Sequence, residues 1–192
     1  ERFMSLSELS RSIAGSAALV TGAASGMGRA TARLFADEGA RLGLLDINAE
    51  KLAEVAGEIR AAGVEVVTIT VDLADRLAVE KAVNSVVDQL RGLDILVNNA
   101  GLIIPAEIDG PDYADSWDTS FAVMATAQAW AIRAALPALR QARHPRVVNL
   151  ASTEALGATR FASAYTVAKH ASVGLTRAMA VDLGKEGITV NC

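Results

Sequence analysis

Short apolar runs alternate with longer amphipathic stretches along most of this 192-residue chain. Residues 17–21 read Ala-Ala-Leu-Val-Thr, a buried-strand pattern, and break at Gly22 before an Ala-rich segment that ends at Gly39. Strand, glycine turn, helix and helix-stopping glycine is the reading. The unit then recurs. Residues 41–46 are short and apolar, Asn48 is placed to cap a helix carrying Leu52, Val55 and Ile59 on one face, and Gly63 closes it. Residues 64–71 are rich in β-branched side chains, Asp75 is the next candidate cap, and Ala78, Val79, Ala82, Val83, Val86, Val87 and Leu90 keep a helical period up to Gly92. A fourth strand is predicted at 94–97 and a long helix at 113–139 that Pro137 should bend or end. A fifth strand at 146–150, a long helix at 162–183 and the start of a sixth strand at 188–191 complete the series. Strands alternating with helices predict an α/β chain with a parallel sheet covered on both faces. Right-handed crossovers then give a doubly wound sheet of order 3-2-1-4-5-6.

Composition supports one packed domain. A chain of this length hides about 70 % of the surface its unfolded form exposes, and 52 % hydrophobic residues can fill that interior. With 4 % aromatic residues the core must be aliphatic. Residues 1–12 are polar and Ser-rich, with Met4 resembling a natural start behind three foreign residues, so the folded domain is expected at 13–192. The chain stops inside the last apolar run without a turn or cap, and the native protein is expected to continue past the sixth strand. A formal charge of −4 without blocks of like charge speaks against nucleic acid as a partner. The longest uncharged stretch, from Arg11 to Arg29, is broken by Gly15, Gly22, Gly26 and Gly28 and is neither a membrane span nor a secretory core. One cysteine, Cys192, and two histidines, His144 and His170, leave no disulfide and no metal cluster. The expectation is a cytoplasmic, metal-free protein.

Chemistry concentrates first between strand one and its helix, where Thr21-Gly22-Ala23-Ala24-Ser25-Gly26-Met27-Gly28 forms a Gly-x-x-x-Gly-x-Gly turn. Glycines there serve a tight strand-to-helix turn, or let a pyrophosphate approach the helix N-terminus, where free N–H groups favour an anion. Its place in the first βαβ unit is the context a dinucleotide fingerprint requires. Asp46 follows Gly22 by 24 positions, at the end of strand two. It is a solvated strand-end carboxylate or the acceptor for both adenosine ribose hydroxyls. In the second case NAD is favoured over NADP, because a 2′-phosphate would be repelled and neither Ser25, Ile47 nor Asn48 offers a cation. Asp72, ending strand three, is a turn residue or a partner for the adenine amino group.

The second concentration lies after strand five. Tyr165 and Lys169 are four apart in a predicted helix, hence on one face and about 6 Å apart along the axis. A tyrosine with a reference pKa of about 10 is only ~0.1 % ionised at pH 7, and a neighbouring ammonium favours the phenolate that acid/base work requires. The plain alternative is a partly buried Tyr beside a surface Lys. Ser152 stands just past strand five, at the carboxyl edge where doubly wound sheets bind ligands.

Taken together, the Thr-Gly-x-x-x-Gly-x-Gly turn, Asn98-Asn99-Ala100-Gly101, Ser152 and Tyr165-x-x-x-Lys169 resemble the short-chain dehydrogenase/reductase family. The likeness spans residues 13–192, keeps the family's order, and places Ser152 13 positions before Tyr165, as the family does. It implies a Rossmann-fold oxidoreductase using NAD(P), with NAD preferred, that moves a hydride between a secondary alcohol and its ketone. Tyr165 would exchange the hydroxyl proton, Ser152 would hydrogen-bond the substrate oxygen, and Lys169 would bind the nicotinamide ribose and favour the phenolate. Gly22, Ser25, Gly26, Met27, Gly28, Asp46 and Ile47 would hold the cofactor. Asn99, Ala100 and Gly101 would border its adenosine-ribose side, and Asp72 with Leu73 would flank the adenine. Leu102, Ile103, Ile104 and Glu154 are expected in an apolar substrate pocket. The resemblance also implies a homotetramer or dimer formed through residues 121–135 and 164–180. His144 and His170 are read as surface residues, and Trp117 and Trp130 as packing residues.

One position departs from the family. Met124 stands where Trp-Asp-x-x-x-x-x-Asn places a catalytic Asn that bends its helix and holds a relay water, and a thioether is a weak acceptor that donates nothing. Turnover could be slowed, the relay rerouted, or the helix straightened around a packing residue. The alternative to an active dehydrogenase is therefore a catalytically impaired nucleotide-binding or regulatory protein.

Overall fold

The structure is a computed structural model and describes residues 12–192; the polar tail, with its expected start at Met4, lies outside the described residues apart from Ser12. Strands β1 (Ala17–Thr21), β2 (Arg41–Asp46), β3 (Val66–Thr70), β4 (Ile95–Asn98), β5 (Arg146–Asn149) and β6 (Thr189–Asn191) alternate with helices α1 (Gly26–Asp37), α2 (Ala49–Ala61), α3 (Arg76–Leu90), α4 (Tyr113–Phe121), α5 (Ala127–Leu139) and α6 (Ser163–Gly184). All strand pairs are parallel, and the order is β3-β2-β1-β4-β5-β6, the predicted one. Strand order reverses between β1 and β4, which opens a crevice at their carboxyl ends.

Period-two alternation in β1 divides the core. Ala18 and Val20 pack with Leu42, Leu44, Leu52, Val55 and Ile59 beneath α1 and α2, whereas Leu19 packs with Val79, Val83, Val86 and Ala135 beneath α3 and α5. The predicted caps form. Asn48 accepts from the Lys51 N–H at 3.0 Å, and Asp75 accepts from the Leu77 and Ala78 N–H groups at 2.9 and 3.1 Å. Each satisfies donors that a helix start leaves without intrahelical partners.

Pro137 does not end its helix. α5 runs two residues further, to Leu139, because proline deprives only the Arg133 carbonyl of its N–H donor, and Arg133 lies on the exposed face. The irregularity lies earlier, at residues 122–126, where a π turn (Ala122–Thr126) joins α4 to α5.

A buried polar chain fixes α6 against the sheet. Asn98 Nδ2 donates to Asn149 Oδ1 (2.8 Å), Asn149 Nδ2 to Thr176 Oγ1 (2.9 Å), and Ser172 Oγ to Gln128 Oε1 (2.7 Å). Such bonds gain strength in a low-dielectric interior and leave few alternative packings. They therefore set the position of the helix that carries Tyr165 and Lys169.

Candidate active site

The carboxyl ends of β1 and β4 are bolted together around the glycine turn. Thr21 Oγ1 accepts from the N–H groups of Asn99 and Ala100 (3.0 and 3.1 Å), while Asn99 Nδ2 donates to the carbonyls of Thr21 and Gly22 (2.9 and 3.2 Å). Gly22 has φ +66°, and a Cβ there would come within 2.8 Å of Ala100 Cα. Only glycine fits on both counts. Gly28 is buried directly behind it, facing the Gly22 carbonyl.

α1 begins without a side-chain cap. Ser25 occupies the cap position but makes no capping hydrogen bond, and the first turn holds no acidic residue. The N–H groups of Gly26, Met27 and Gly28 thus lack intrahelical acceptors and point outward from a positive helix end. This cradle fits a pyrophosphate. Asp46 supports its far side, with Oδ2 accepting from the Ala24 N–H and Oδ1 from the Asn48 N–H, both at 2.9 Å. Each carboxylate oxygen keeps a lone pair for a further donor.

These residues line a cleft of 540 Å³ that contains Gly22, Ser25, Gly26, Met27, Asp46, Ile47, Asp72, Leu73, Asn99, Ala100 and Gly101. Val71, Ala74, Thr119 and Val123 also line it, beyond the residues that the sequence singles out. Thr119 and Val123 are four apart, so helical periodicity along residues 113–139 could have signalled a shared face. Asp72 Oδ1 accepts from the Ala74 N–H at 2.9 Å, a local turn bond that leaves its second oxygen free of side-chain duties. A cleft of similar size, 560 Å³, opens at the opposite edge of the sheet among Arg41, Asp88, Arg91, Asp94 and Arg143. There Arg41 donates to the Leu90 carbonyl at the end of α3, a helix-terminal contact remote from the glycine turn.

Lys169 is only 3 % exposed. Its Nζ donates to the Leu150 carbonyl at 2.5 Å and lies 5.7 Å from the centroid of the Tyr165 ring. Burial holds its ammonium below the ordinary lysine range, because the charged form loses hydration. The surface-lysine alternative is thereby removed. Both Lys169 Nζ and Met124 Sδ lie 3.5 Å from the point a Cβ on Gly101 would occupy, so the lysine reaches the wall of the cleft. Met124 is fully buried, and the π turn around it persists with a thioether in place of an amide. The helix has not straightened.

Ser152 begins a short 3₁₀ turn (Thr153–Ala155), and its Oγ accepts from the Glu154 N–H at 3.2 Å. Glu154, expected in the substrate pocket, turns its carboxylate to its own loop and to α6 instead. It accepts from the Thr159 N–H (2.8 Å), Thr159 Oγ1 (2.7 Å) and Thr166 Oγ1 (2.9 Å), which hold its carboxyl below the usual carboxylate range. A negative acceptor with three donors in reach gains more there than in an apolar pocket. Leu102 lines the cleft, Ile103 is exposed, and the Ile104 carbonyl accepts from Ser116 Oγ at 2.7 Å.

His144 and His170 are exposed. Trp117 lies between Tyr113 and Phe121, with centroids at 6.2 and 5.0 Å, and Trp130 packs under the Arg76 guanidinium at 3.6 Å. Among the described residues no group of three or more His, Cys, Asp or Glu side chains is placed to hold a metal ion, and no helix is long and apolar enough to cross a membrane.

Comparison with known proteins extends over both halves of this site. The family described as short chain dehydrogenase matches residues 16–192. The chain is 39 % identical over 175 residues to the hydroxy(phenyl)methylsuccinyl-CoA dehydrogenase subunit BbsD of Thauera aromatica, a match that covers 91 % of this chain and 70 % of that protein. It is 34 % identical over 179 residues to the 2,5-dichloro-2,5-cyclohexadiene-1,4-diol dehydrogenase LinX of Sphingobium indicum, covering 93 % of this chain and 71 % of that one. Among solved structures, carveol dehydrogenase from Mycobacterium avium in complex with NAD superposes with a TM-score of 0.88 at 33 % identity, over 94 % of this chain and 70 % of the other. A family match that begins at the first strand and runs through the glycine turn, the serine and the Tyr-Lys helix leaves one assignment: the chain belongs to the short chain dehydrogenases, oxidoreductases that act on hydroxyl groups.

Proposed function

We propose that the protein transfers a hydride between a secondary alcohol, or the matching ketone, and NAD, with Tyr165 as the acid/base. The observation that carries the reading is the buried Lys169 beside Tyr165, at the Gly101 wall of the cleft. The ammonium donates to the Leu150 carbonyl and keeps further N–H donors for a ribose bound at that wall. When bound, NAD supplies the hydride acceptor. The chain's own residues do the rest. The uncapped N–H groups of Gly26, Met27 and Gly28 hold the pyrophosphate, and Asp46 accepts from the adenosine ribose hydroxyls. Lys169 donates to the ribose of the nicotinamide end. Ser152 Oγ hydrogen-bonds the substrate oxygen while Tyr165 takes its proton, and in the reverse direction Tyr165 returns it.

The preference for NAD rests on charge. Asp46 and Asp72 are the charged side chains lining the cleft, and both are acidic. A 2′-phosphate entering beside Asp46 meets repulsion with no lining cation to offset it. Calorimetric titration should therefore show NAD binding more tightly than NADP, and Asp46→Ala should narrow the difference; equal affinities in the wild type would overturn the assignment. Formation of NADH over a panel of cyclic, steroid and aliphatic secondary alcohols tests the reaction. A second reading, a nucleotide-binding protein with impaired catalysis, is favoured by Met124 alone, and NAD binding without turnover on the panel would support it.

A further inference from the structure

We propose that Glu154 is a positioning residue: by tying the loop that follows Ser152 to the first turns of α6, it sets the placement of Ser152 relative to Tyr165. The proposal rests on the proton-transfer role of those two residues given above. Between them the chain passes through the 3₁₀ turn and an irregular stretch with neither helix nor strand until Ser163. Among the described residues, apolar packing holds little of that stretch. Residues 156–161 are all exposed, and Leu156 is 90 % exposed.

Polar bonds take its place. Glu154 accepts from Thr159 twice, which closes the loop on itself, and from Thr166 Oγ1, which fastens the closed loop to α6 one residue beyond Tyr165. Thr166 is 8 % exposed and its own N–H is bonded to the Ala162 carbonyl, so it is a fixed point. On the other side the Glu154 N–H donates to Ser152 Oγ. One residue therefore contacts the serine through its backbone and the tyrosine-bearing helix through its carboxylate. The far end of the loop is anchored separately, where Phe161 adopts φ +64° and its carbonyl accepts from the Ala106 N–H at 2.9 Å. Three donors converge on a carboxylate, which has two oxygens and only acceptor capacity. Glutamine in the same place can still accept from the Thr159 N–H and the Thr166 hydroxyl on one oxygen and donate its amide to Thr159 Oγ1, so only a side chain without polar atoms removes all three bonds.

The test uses Glu154→Ala and Thr166→Val in the full chain, reading NAD affinity, steady-state kinetics and amide hydrogen exchange. Glu154 does not line the cofactor cleft, so NAD affinity should stay within about twofold, while kcat should fall by roughly tenfold or more in Glu154→Ala and by a smaller factor in Thr166→Val. Exchange should quicken by about tenfold at residues 156–161 and also at the first turns of α6, Tyr165 included. Thr166→Val keeps the loop closure and removes only its fastening, so its faster exchange should be confined to the loop–helix junction. An unchanged kcat despite a loosened loop would overturn the proposal, as would a fall in kcat with unchanged exchange, or a loss of NAD affinity equal to the loss of kcat. Were the wild type inactive on every alcohol but able to bind NAD, the reaction assignment would fail by itself. The exchange result would then decide the positioning claim: loosening that reaches Tyr165 supports it, and loosening that stops at residue 161 overturns it.

Discussion

The two halves of the site are built from different materials. In the proposed cofactor half, the assigned groups are backbone N–H donors at the start of α1, displayed by glycines and braced by Thr21, Asn99 and Asp46. In the proposed catalytic half, the assigned groups are the side chains of Ser152, Tyr165 and Lys169, carried by a polar loop and by a helix fixed through a buried chain of Asn, Thr, Ser and Gln. A backbone site depends on which conformations a residue permits, so its vulnerable positions are those where a Cβ cannot exist. A side-chain site depends on where distant segments meet. Its vulnerable positions include residues that touch no ligand.

That contrast predicts opposite phenotypes. Tyr165→Phe keeps the ring and removes the exchangeable proton, so turnover should fall by about 10² to 10⁴-fold, the range for a general acid/base, with NAD affinity unchanged. Persistent turnover within a factor of a few would mean another group moves the proton. Gly22→Ala should do the reverse. A left-handed conformation costs an L-residue roughly 1–2 kcal/mol, and the new Cβ would press on Ala100 Cα at 2.8 Å. NAD affinity should weaken by about tenfold or more, at roughly 1.4 kcal/mol per factor of ten. Raising NAD to saturation in the variant, at saturating alcohol, would then recover much of kcat. A variant that binds NAD normally would show that the turn is less constrained than its geometry indicates.

The smallest effect is expected where the halves touch, at Met124. The π turn that a relay amide would occupy is already formed. Met124→Asn should place an acceptor near the Lys169 ammonium and raise turnover, by about tenfold at most, since general acid/base steps are worth roughly 10² to 10⁴-fold and a relay whose water is held by another group would recover only part of that. NAD affinity should not change, and the solvent isotope effect should diminish. An Asn buried without partners would instead cost about 1–3 kcal/mol, seen as a lower melting temperature with turnover unchanged or reduced. That pair of results would make Met124 a packing residue.

Much of the cofactor half is legible in the sequence alone. Glycines at 22, 26 and 28 after a short apolar run, with Asp46 at the next strand end, are local signals whose meaning follows from φ and from helix-end chemistry. Caps at Asn48 and Asp75 are legible for the same reason, since a cap involves only residues two or three positions away. The catalytic half is legible as a set of residues but not as an arrangement. Spacing places Tyr165 and Lys169 on one face, yet it does not say that the lysine is buried. Glu154 is expected in the substrate pocket, whereas the donors to its carboxylate lie five and twelve residues further on.

Period and propensity are near-neighbour properties, so the order of strands and helices, the crossover handedness and the glycine turn follow from the amino acids in sequence. Burial of the Lys169 ammonium, the π turn around Met124 and the carboxylate clamp of Glu154 depend on segments brought together only by folding. Each is set by packing and hydrogen-bond satisfaction summed over residues far apart in the chain: Lys169 with Leu150, Met124 with Gly101, and Glu154 with Thr166.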